Sequence, residues 1–471
     1  MSTMTDAAYQ QCMMPTCGAT YGVDEILFAC RKCGALLDVR YDWSHCPLPR
    51  SLSEFDSRRG SAGRTSVKKA DASGVWRFRE LLPFADVEEL VTIGEGRTIL
   101  QPADRLAKSM GAKHGKLFLQ YEGFNPSGSF KDNGMAAAFT IARKLGRRRV
   151  ACASTGNTSA SMAMFAAQTA TRSDEPMQAI VFVGGDKIAL GKLSQALDFG
   201  ARTLQIAGDF DACMRLVQES ADRLDLYLMN SVNPFRLEGQ KTIMYRVLAG
   251  LSWDVPDWVI VPGGNLGNTS AFGKAFVELR ELGLIQKVPR LAVINAAGAN
   301  TLCELYNDLA VRFDDGAFNK EKVDAYYERM TADGRRAQTV ASAIEIGRPV
   351  NLTKALRSLE AMDGVVRQVP DEDILDHKAL VGSCGLGCEP ASAASVAGLR
   401  VLLGEQVISP SDRVVCILTG HGLKDPTATI KYHSAGPAGA PGRRHANPPI
   451  QADAEIDAVA AVLDEHTTKK G

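Results

Sequence analysis

Short apolar runs alternate with helical patterns along most of this chain, and that alternation limits the fold more than any other feature. From about Trp76 the order is LFLQY then a helix, VACAS then SASMAMFAAQ, AIVFV then ALGKLSQALDFG, and TLQIA then FDACMRLVQESADRL. WVIVP, TSAFGKAFVELREL, LAVIN, a further helix and VVCILTG follow. A strand that is apolar on both faces needs cover on both sides, and strands taking turns with helices supply it as a mainly parallel sheet. The expectation is an α/β fold with mainly parallel sheets flanked by helices. Ligands of such sheets lie at the carboxyl ends of the strands, so chemistry is expected in the loops that follow them.

Four of those loops stand out. NPSGSFKD (125–132) frames Lys131 between a tight turn and the small, apolar run MAAAFTIA. STGNTSAS (154–161) follows VACA, PGGNLGN (262–268) follows WVIV, and TGHGLKDP (419–426) follows VVCIL. PGGNLGN carries the clearest physical message. Its glycines let backbone N–H groups approach an anion, and the helix N-terminus behind adds a favourable partial charge. It is neither GxGxxG nor GxxxxGK, so one small phosphate is a better fit than a dinucleotide or nucleoside triphosphate. Each string has a bland reading of its own: a capped helix for PGGNLGN and STGNTSAS, a solvated lysine for Lys131. A phosphate nest, a polar loop and a framed lysine at strand ends of one sheet favour a site.

Ahead of this region lie two cysteine pairs, Cys12 and Cys17, then Cys30 and Cys33, separated by GATYGVDEILFA. Paired knuckles around a short strand are what a zinc ribbon needs. The alternatives are a metal-free ribbon and unrelated thiols, and either way the role is structural. Eleven cysteines in so long a chain do not form a disulfide scaffold. The N-terminus MSTMTDAAYQQ has no secretion-signal pattern, so the chain reads as cytoplasmic. Lys plus Arg equals Asp plus Glu at 54 each, giving no reason to expect nucleic acid, and no apolar run is long enough for a membrane span. The boundaries read as a cysteine-rich module at 1–42, a linker at 43–75, and a tail at 434–471 that is expected to be disordered apart from a short helix at IDAVAAVLDEH.

Taken together, NPSGSFKD, STGNTSAS, GGNLGN and TGHGLKDP resemble the loops of the fold type II pyridoxal-phosphate enzymes and, among them, the threonine synthases. GVWRFRELLP (74–83), IGEGRT (93–98), KIALGKLSQALDFGA (187–201), NSVNPFRLEGQKT (230–242) and CEPASAAS (388–395) support the narrower likeness. The resemblance implies a large cofactor-binding domain from 76–134 and 230–433, a small mobile domain at 135–229, and a homodimer. It implies that Lys131 holds pyridoxal phosphate as a Schiff base, and that Gly264, Asn265, Leu266, Gly267 and Asn268 cradle its phosphate. Asn157 is implied to meet the ring hydroxyl and Thr419 the ring nitrogen. A neutral hydroxyl at that nitrogen favours eliminations over transamination. Ser154, Thr155 and Thr158 are implied to bind the substrate carboxylate, and Asn230, Ser231 and Arg236 its phosphate. The implied reaction converts O-phospho-L-homoserine and water into L-threonine and phosphate.

The sequence departs from the family pattern at Asn133, where relatives often carry arginine, at Ile99, where proline is usual, and in GSCGLGCEP. Cys384 and Cys388 have a helix-compatible spacing that favours packed thiols over a metal pair. Three enzymatic readings therefore stand side by side: threonine synthase, a sister activity such as making cysteate from phosphoserine and sulfite, and a serine or threonine dehydratase. Outside catalysis the alternatives are a silent synthase-like binding protein and a zinc-ribbon nucleic-acid binder; VDEILF lacks the basic, aromatic face the latter needs.

Overall fold

The apolar runs become the strands of three sheets. The computed structural model describes residues 7–61, 63–170, 176–184, 190–207, 216–217, 219–221, 223–434 and 443–468. Strands β1 (Ala8–Cys12), β2 (Thr20–Gly22) and β3 (Leu37–Tyr41) form an antiparallel sheet in the order β2-β1-β3. Next in the chain come β4 (Ile99–Pro102), β5 (Leu117–Tyr121), β6 (Arg149–Ala153), β7 (Gln178–Gly184), β8 (Arg202–Ile206) and β9 (Tyr227–Leu228). The last four are β10 (Trp258–Pro262), β11 (Arg290–Ala296), β12 (Val365–Val369) and β13 (Val414–Leu418).

A six-stranded sheet runs β12-β11-β10-β13-β5-β4, parallel throughout except at its edge, where β4 is antiparallel to β5. Every residue of β10 and β13 is buried, as expected for strands covered on both faces. β4 is half-exposed and ends in Pro102, a residue that an edge strand tolerates. The second sheet, β8-β7-β6-β9, is wholly parallel and takes all its strands from 149–228. The architecture is thus α/β, with mainly parallel sheets and a small cysteine-bearing sheet at the N-terminal end.

Six helices position the functional loops: α1 (Lys131–Lys144), α2 (Asn157–Ala170), α3 (Pro234–Gly250), α4 (Gly267–Glu281), α5 (Leu352–Ala361) and α6 (Pro390–Gly404). Parts of KIALGKLSQALDFGA, FDACMRLVQESADRL and the 434–451 segment lie outside the described residues. The short helix read in the tail appears as Ile456–Thr468. Ahead of it Arg443 Nε donates to the Tyr432 carbonyl at 2.7 Å, and the Arg444 N–H to Asp376 at 2.8 Å. No helix among the described residues is long and apolar enough to cross a membrane.

The cysteine-bearing sheet is held to the body by buried charge. Asp38 on β3 meets Lys354 Nζ at 3.0 Å and Arg357 Nη1 at 2.5 Å, both on α5. Tyr41 donates to Glu238 on α3 at 2.6 Å. Glu238 in turn belongs to a four-residue cluster with Lys241, Lys274 and Glu278 that ties α3 to α4. Burial opposes the charge on Asp38, but Arg357 and Lys354 hold its carboxyl well below the usual range. Replacing Asp38 by Asn leaves Lys354 buried without its counter-charge. The expected loss is about 3–5 kcal/mol of stability, measured by chemical denaturation at neutral pH.

Candidate active site

The lysine loop leaves β5 and is fastened to the loop after β13. Phe130 N–H donates to the Thr419 carbonyl at 2.9 Å, His421 N–H donates to the Gly128 carbonyl at 2.8 Å, and Ser129 and Gly420 form a β-bridge between them. Asp132 locks the turn from inside: it accepts from Ser127 N–H at 2.8 Å, from the Ser127 hydroxyl at 2.6 Å and from the Ser161 hydroxyl at 2.5 Å. Burial nonetheless raises its pKa to about 6, against those hydrogen bonds. Lys131 is consequently the first residue of α1, with Nζ 4.3 Å from the centre of the Phe130 ring. Burial and the positive charge of Arg236 bring its pKa down to about 7, with Glu389 acting in the opposite direction. A lysine so placed is a free amine at neutral pH for a large part of the time, which is the form that attacks carbonyls.

A cavity of about 790 Å³ opens around Lys131, and every residue named from sequence for the cofactor or the substrate lines it. GGNLGN forms the turn from β10 into α4. Leu266 takes a left-handed conformation (φ 62°) and directs the first-turn N–H groups of Gly267 and Asn268 away from any helical acceptor. A Cβ at Gly264 would lie 3.0 Å from the Ile344 backbone, so any larger residue there presses on the loop that carries Ile344. The side-chain oxygens of Asn268 and Gln240 are buried without partners.

Arg236 is fully buried beside this turn. It is 1% exposed, donates through Nη1 to the Met229 carbonyl at 2.7 Å, and leaves Nε and Nη2 buried with no acceptor. Burial lowers its pKa to about 10. A guanidinium that lines the cavity with two donors unpaired calls for an anion. Asn230 is differently employed: its amide receives from Ala153 N–H and donates to the Ala153 carbonyl, both at 3.0 Å, bracing the end of β6 beside the polar loop.

Asn157 and Thr419 do come together, through a residue that sequence reasoning passed over. Glu389, the N-cap residue of α6, accepts from Asn157 Nδ2 at 2.9 Å and from the Thr419 hydroxyl at 3.1 Å. Burial raises its pKa, opposed by Asn157 and by the charge of Lys424. Ser392 contacts the Thr419 hydroxyl at 2.9 Å and accepts from Gly420 N–H at 3.0 Å. At the mouth, Lys424 Nζ donates to the Ser127 carbonyl at 3.1 Å and meets Gln195, which itself donates to Ser127 at 3.2 Å. The one available signal was an acidic residue before Pro390 opening a small-residue helix, which reads locally as nothing more than a helix start.

The four N-terminal cysteines also converge. Their sulfurs all lie within 4.8 Å of one another, with Cys12–Cys33 at 3.4 Å and Cys17–Cys30 at 3.7 Å. A tetrahedral zinc ion with bonds of about 2.3 Å needs sulfurs about 3.8 Å apart, so the donor set fits zinc. Burial works against the Cys30 thiolate, but the Tyr21 hydroxyl at 3.2 Å and nearby backbone N–H groups lower its pKa to about 6.

Residues 91–420 match the family of pyridoxal-phosphate dependent enzymes. The threonine synthase of Methanocaldococcus jannaschii is 40% identical over 97% of this chain and 99% of that protein. Threonine synthase 2, chloroplastic, of Arabidopsis thaliana is 37% identical over 96% of this chain and 83% of its own length. Among solved structures, the processed form of threonine deaminase isoform 2 from Solanum lycopersicum superposes with a TM-score of 0.55. It is 16% identical and covers 78% of this chain and 94% of that one, a likeness of fold.

Two outcomes follow from this geometry. In cofactor-free protein, acylation of Lys131 by a trace of an activated ester, read by mass spectrometry, rises with pH through a midpoint near 7. It is lost below that pH because the amine becomes protonated, and Arg236→Gln moves the midpoint upward by removing a neighbouring positive charge. Elemental analysis of the purified chain gives about one zinc per chain, and Cys30→Ser lowers it to background.

Proposed function

The chain belongs to the threonine synthases of the pyridoxal-phosphate dependent enzyme family, and from that membership we propose that it converts O-phospho-L-homoserine and water into L-threonine and inorganic phosphate in the cavity around Lys131. The observation that carries this reading is Arg236, a buried guanidinium that lines the same cavity as the lysine and keeps two donors without partners. A second phosphate position, beside the one formed by GGNLGN, is what a phosphorylated substrate requires and a serine or threonine dehydratase does not.

The residues present fit the cofactor. Lys131 supplies a buried amine of depressed pKa, the Gly264–Asn268 turn supplies backbone donors for a phosphate, and Asn157 and Thr419 line the space between. Pyridoxal phosphate, when bound, contributes a conjugated ring that delocalises the electron pair released at the substrate Cα. The protein's own groups do the rest. Lys131 Nζ takes the proton from Cα, moves protons at Cβ and returns one to Cα at the end. Arg236 and Ser231 hold the phosphate through its departure from Cγ, Arg236 by charge-assisted hydrogen bonds. Thr155 and Thr158, at the start of α2, orient the substrate carboxylate near a helix N-terminus. Glu389 keeps Asn157 and Thr419 in register until they engage the ring.

The segment 135–229, which carries the four-stranded sheet, acts as the smaller domain and closes through Gln195 toward Ser127 and Lys424. The free cysteines among the described residues suit a cytoplasmic protein, and the family likeness supports a homodimer.

Incubation with O-phospho-L-homoserine is expected to give phosphate and L-threonine in equal amounts. Lys131→Ala lowers the rate by roughly 10²–10⁴-fold. Arg236→Gln lowers kcat/KM by about 10- to 100-fold, the scale of one or two charge-assisted hydrogen bonds. Phosphate release from phosphoserine and sulfite, with none from O-phospho-L-homoserine, would overturn the reading.

A further inference from the structure

Two strings in the sequence, GVWRFRELLP and IGEGRT, have no part in the cavity around Lys131, yet the fold brings them together. Gly74 N–H donates to the Glu95 carbonyl at 2.7 Å, and the Ser73 hydroxyl donates to the Glu95 side chain. The contact is too close for any side chain: a Cβ at Gly74 would lie 2.0 Å from the Gly96 carbonyl oxygen, and one at Gly96 would lie 3.0 Å from Arg246 Nη1. Beside this junction is a second cavity of about 440 Å³, within the range of small-ligand pockets.

Four arginines line it: Arg59, Arg77, Arg97 and Arg246. Two have carboxylate partners elsewhere, Arg59 with Asp56 at 3.0 Å and Arg246 with Glu122 at 2.7 Å. The cavity's own carboxylate, Asp71, is taken by Arg79 at 2.8 Å. Arg97 donates to the Ala72 carbonyl at 2.9 Å and has no ion pair among the described residues. Arg77 is the more telling. Its guanidinium lies over the Phe78 ring, 4.6 Å from the centre, its Nε is buried with no partner, and that side chain forms no ion pair with any described residue. Burial, with Arg246 and Arg59 nearby, lowers its pKa to about 10. Four arginines gathered in a concave site, two of them without an ion pair among the described residues, attract anions, and guanidinium groups match phosphate oxygens best.

We propose that this cavity is a second anion site, separate from the one around Lys131, that binds a phosphate group through Arg77 and Arg97 with Arg246 behind them. The group is carried either by free inorganic phosphate or by a small phosphomonoester. The site is wired to the lysine loop. Arg246 Nη2 contacts both oxygens of Glu122, which also accepts from Asn125 at 2.8 Å and Asn133 at 2.7 Å, on either side of Lys131.

Calorimetric titration of the cofactor-loaded full chain with inorganic phosphate tests this, with O-phosphoethanolamine as the ester arm. Two classes of site are expected in one arm or both, and the arm that shows the second class identifies the carrier. Arg77→Gln weakens one class by about tenfold or more, the scale of a charge-assisted hydrogen bond, and Arg236→Gln weakens the other. Arg97→Gln, a change at an exposed residue, gives the same loss as Arg77→Gln and serves if that variant folds poorly. A single class in both arms, untouched by Arg77→Gln and Arg97→Gln, overturns the proposal. So does sedimentation showing that these variants split a dimer while phosphate binding is unchanged, since the arginines would then face a second copy.

Discussion

A buried carboxylate, Glu122, fixes where Lys131 points. It is fully buried at the end of β5, where an unmet charge would cost several kcal/mol. Five side chains meet it: Arg246, Gln120, Thr98, Asn125 and Asn133. Burial pushes its pKa up, but Arg246 and these amides win and hold it below the ordinary value. Asn125 and Asn133 bracket the lysine loop, so the charge that must be neutralised also sets the loop's two ends. Asn133, a departure from the family pattern, is explained here: its short amide reaches Glu122 and the Phe130 carbonyl together, a pairing that a longer side chain at this buried position would overrun.

Rigidity at the lysine contrasts with the groups left unsatisfied around it. Most polar atoms of the loop have partners, whereas Arg236 Nε and Nη2, Asn268 Oδ1 and Gln240 Oε1 have none. Buried polar groups rarely stay unpaired in a native fold. Three of the residues that carry such exceptions, Arg236, Gln240 and Asn268, line the cavity around Lys131. Only the Arg236 atoms among them are donors; that guanidinium is held in place by the Met229 carbonyl before any anion arrives, which is what preorganised electrostatic binding requires.

The loops were legible in the sequence because their chemistry is local. Glycine and helix-start signals in GGNLGN, and the serine-glycine frame of Lys131, depend on neighbours within a few residues. Glu389 was not legible, because its partners Asn157 and Thr419 lie 232 and 30 residues away and nothing near it in sequence marks it as more than a helix opener. Asn230 shows the converse: its motif pointed to the substrate, while its amide is engaged by the Ala153 backbone. The strand–helix alternation gave the layers but not the partition into two parallel sheets, since β9 joins β6 only after a long excursion.

Helix α3 joins these themes. It is buried on nearly every face, yet it carries Arg236, Glu238, Gln240, Lys241 and Arg246, a composition that makes no sense for a helix placed only to fill a core. Each of those groups needs a counterpart, and the counterparts come from different parts of the molecule. Arg236 faces the main cavity, Glu238 and Lys241 meet Tyr41 of the cysteine-bearing sheet and the charged pair on α4, and Arg246 meets the carboxylate beneath the lysine loop. Arg236 and Arg246 are ten residues apart, about 15 Å along the axis, and each lines a different cavity. A rotation or slide of α3 would break buried ion pairs at several places at once. The helix therefore couples the metal-fitting module, helix α4 and both cavities, because it is costly for any one of them to move alone.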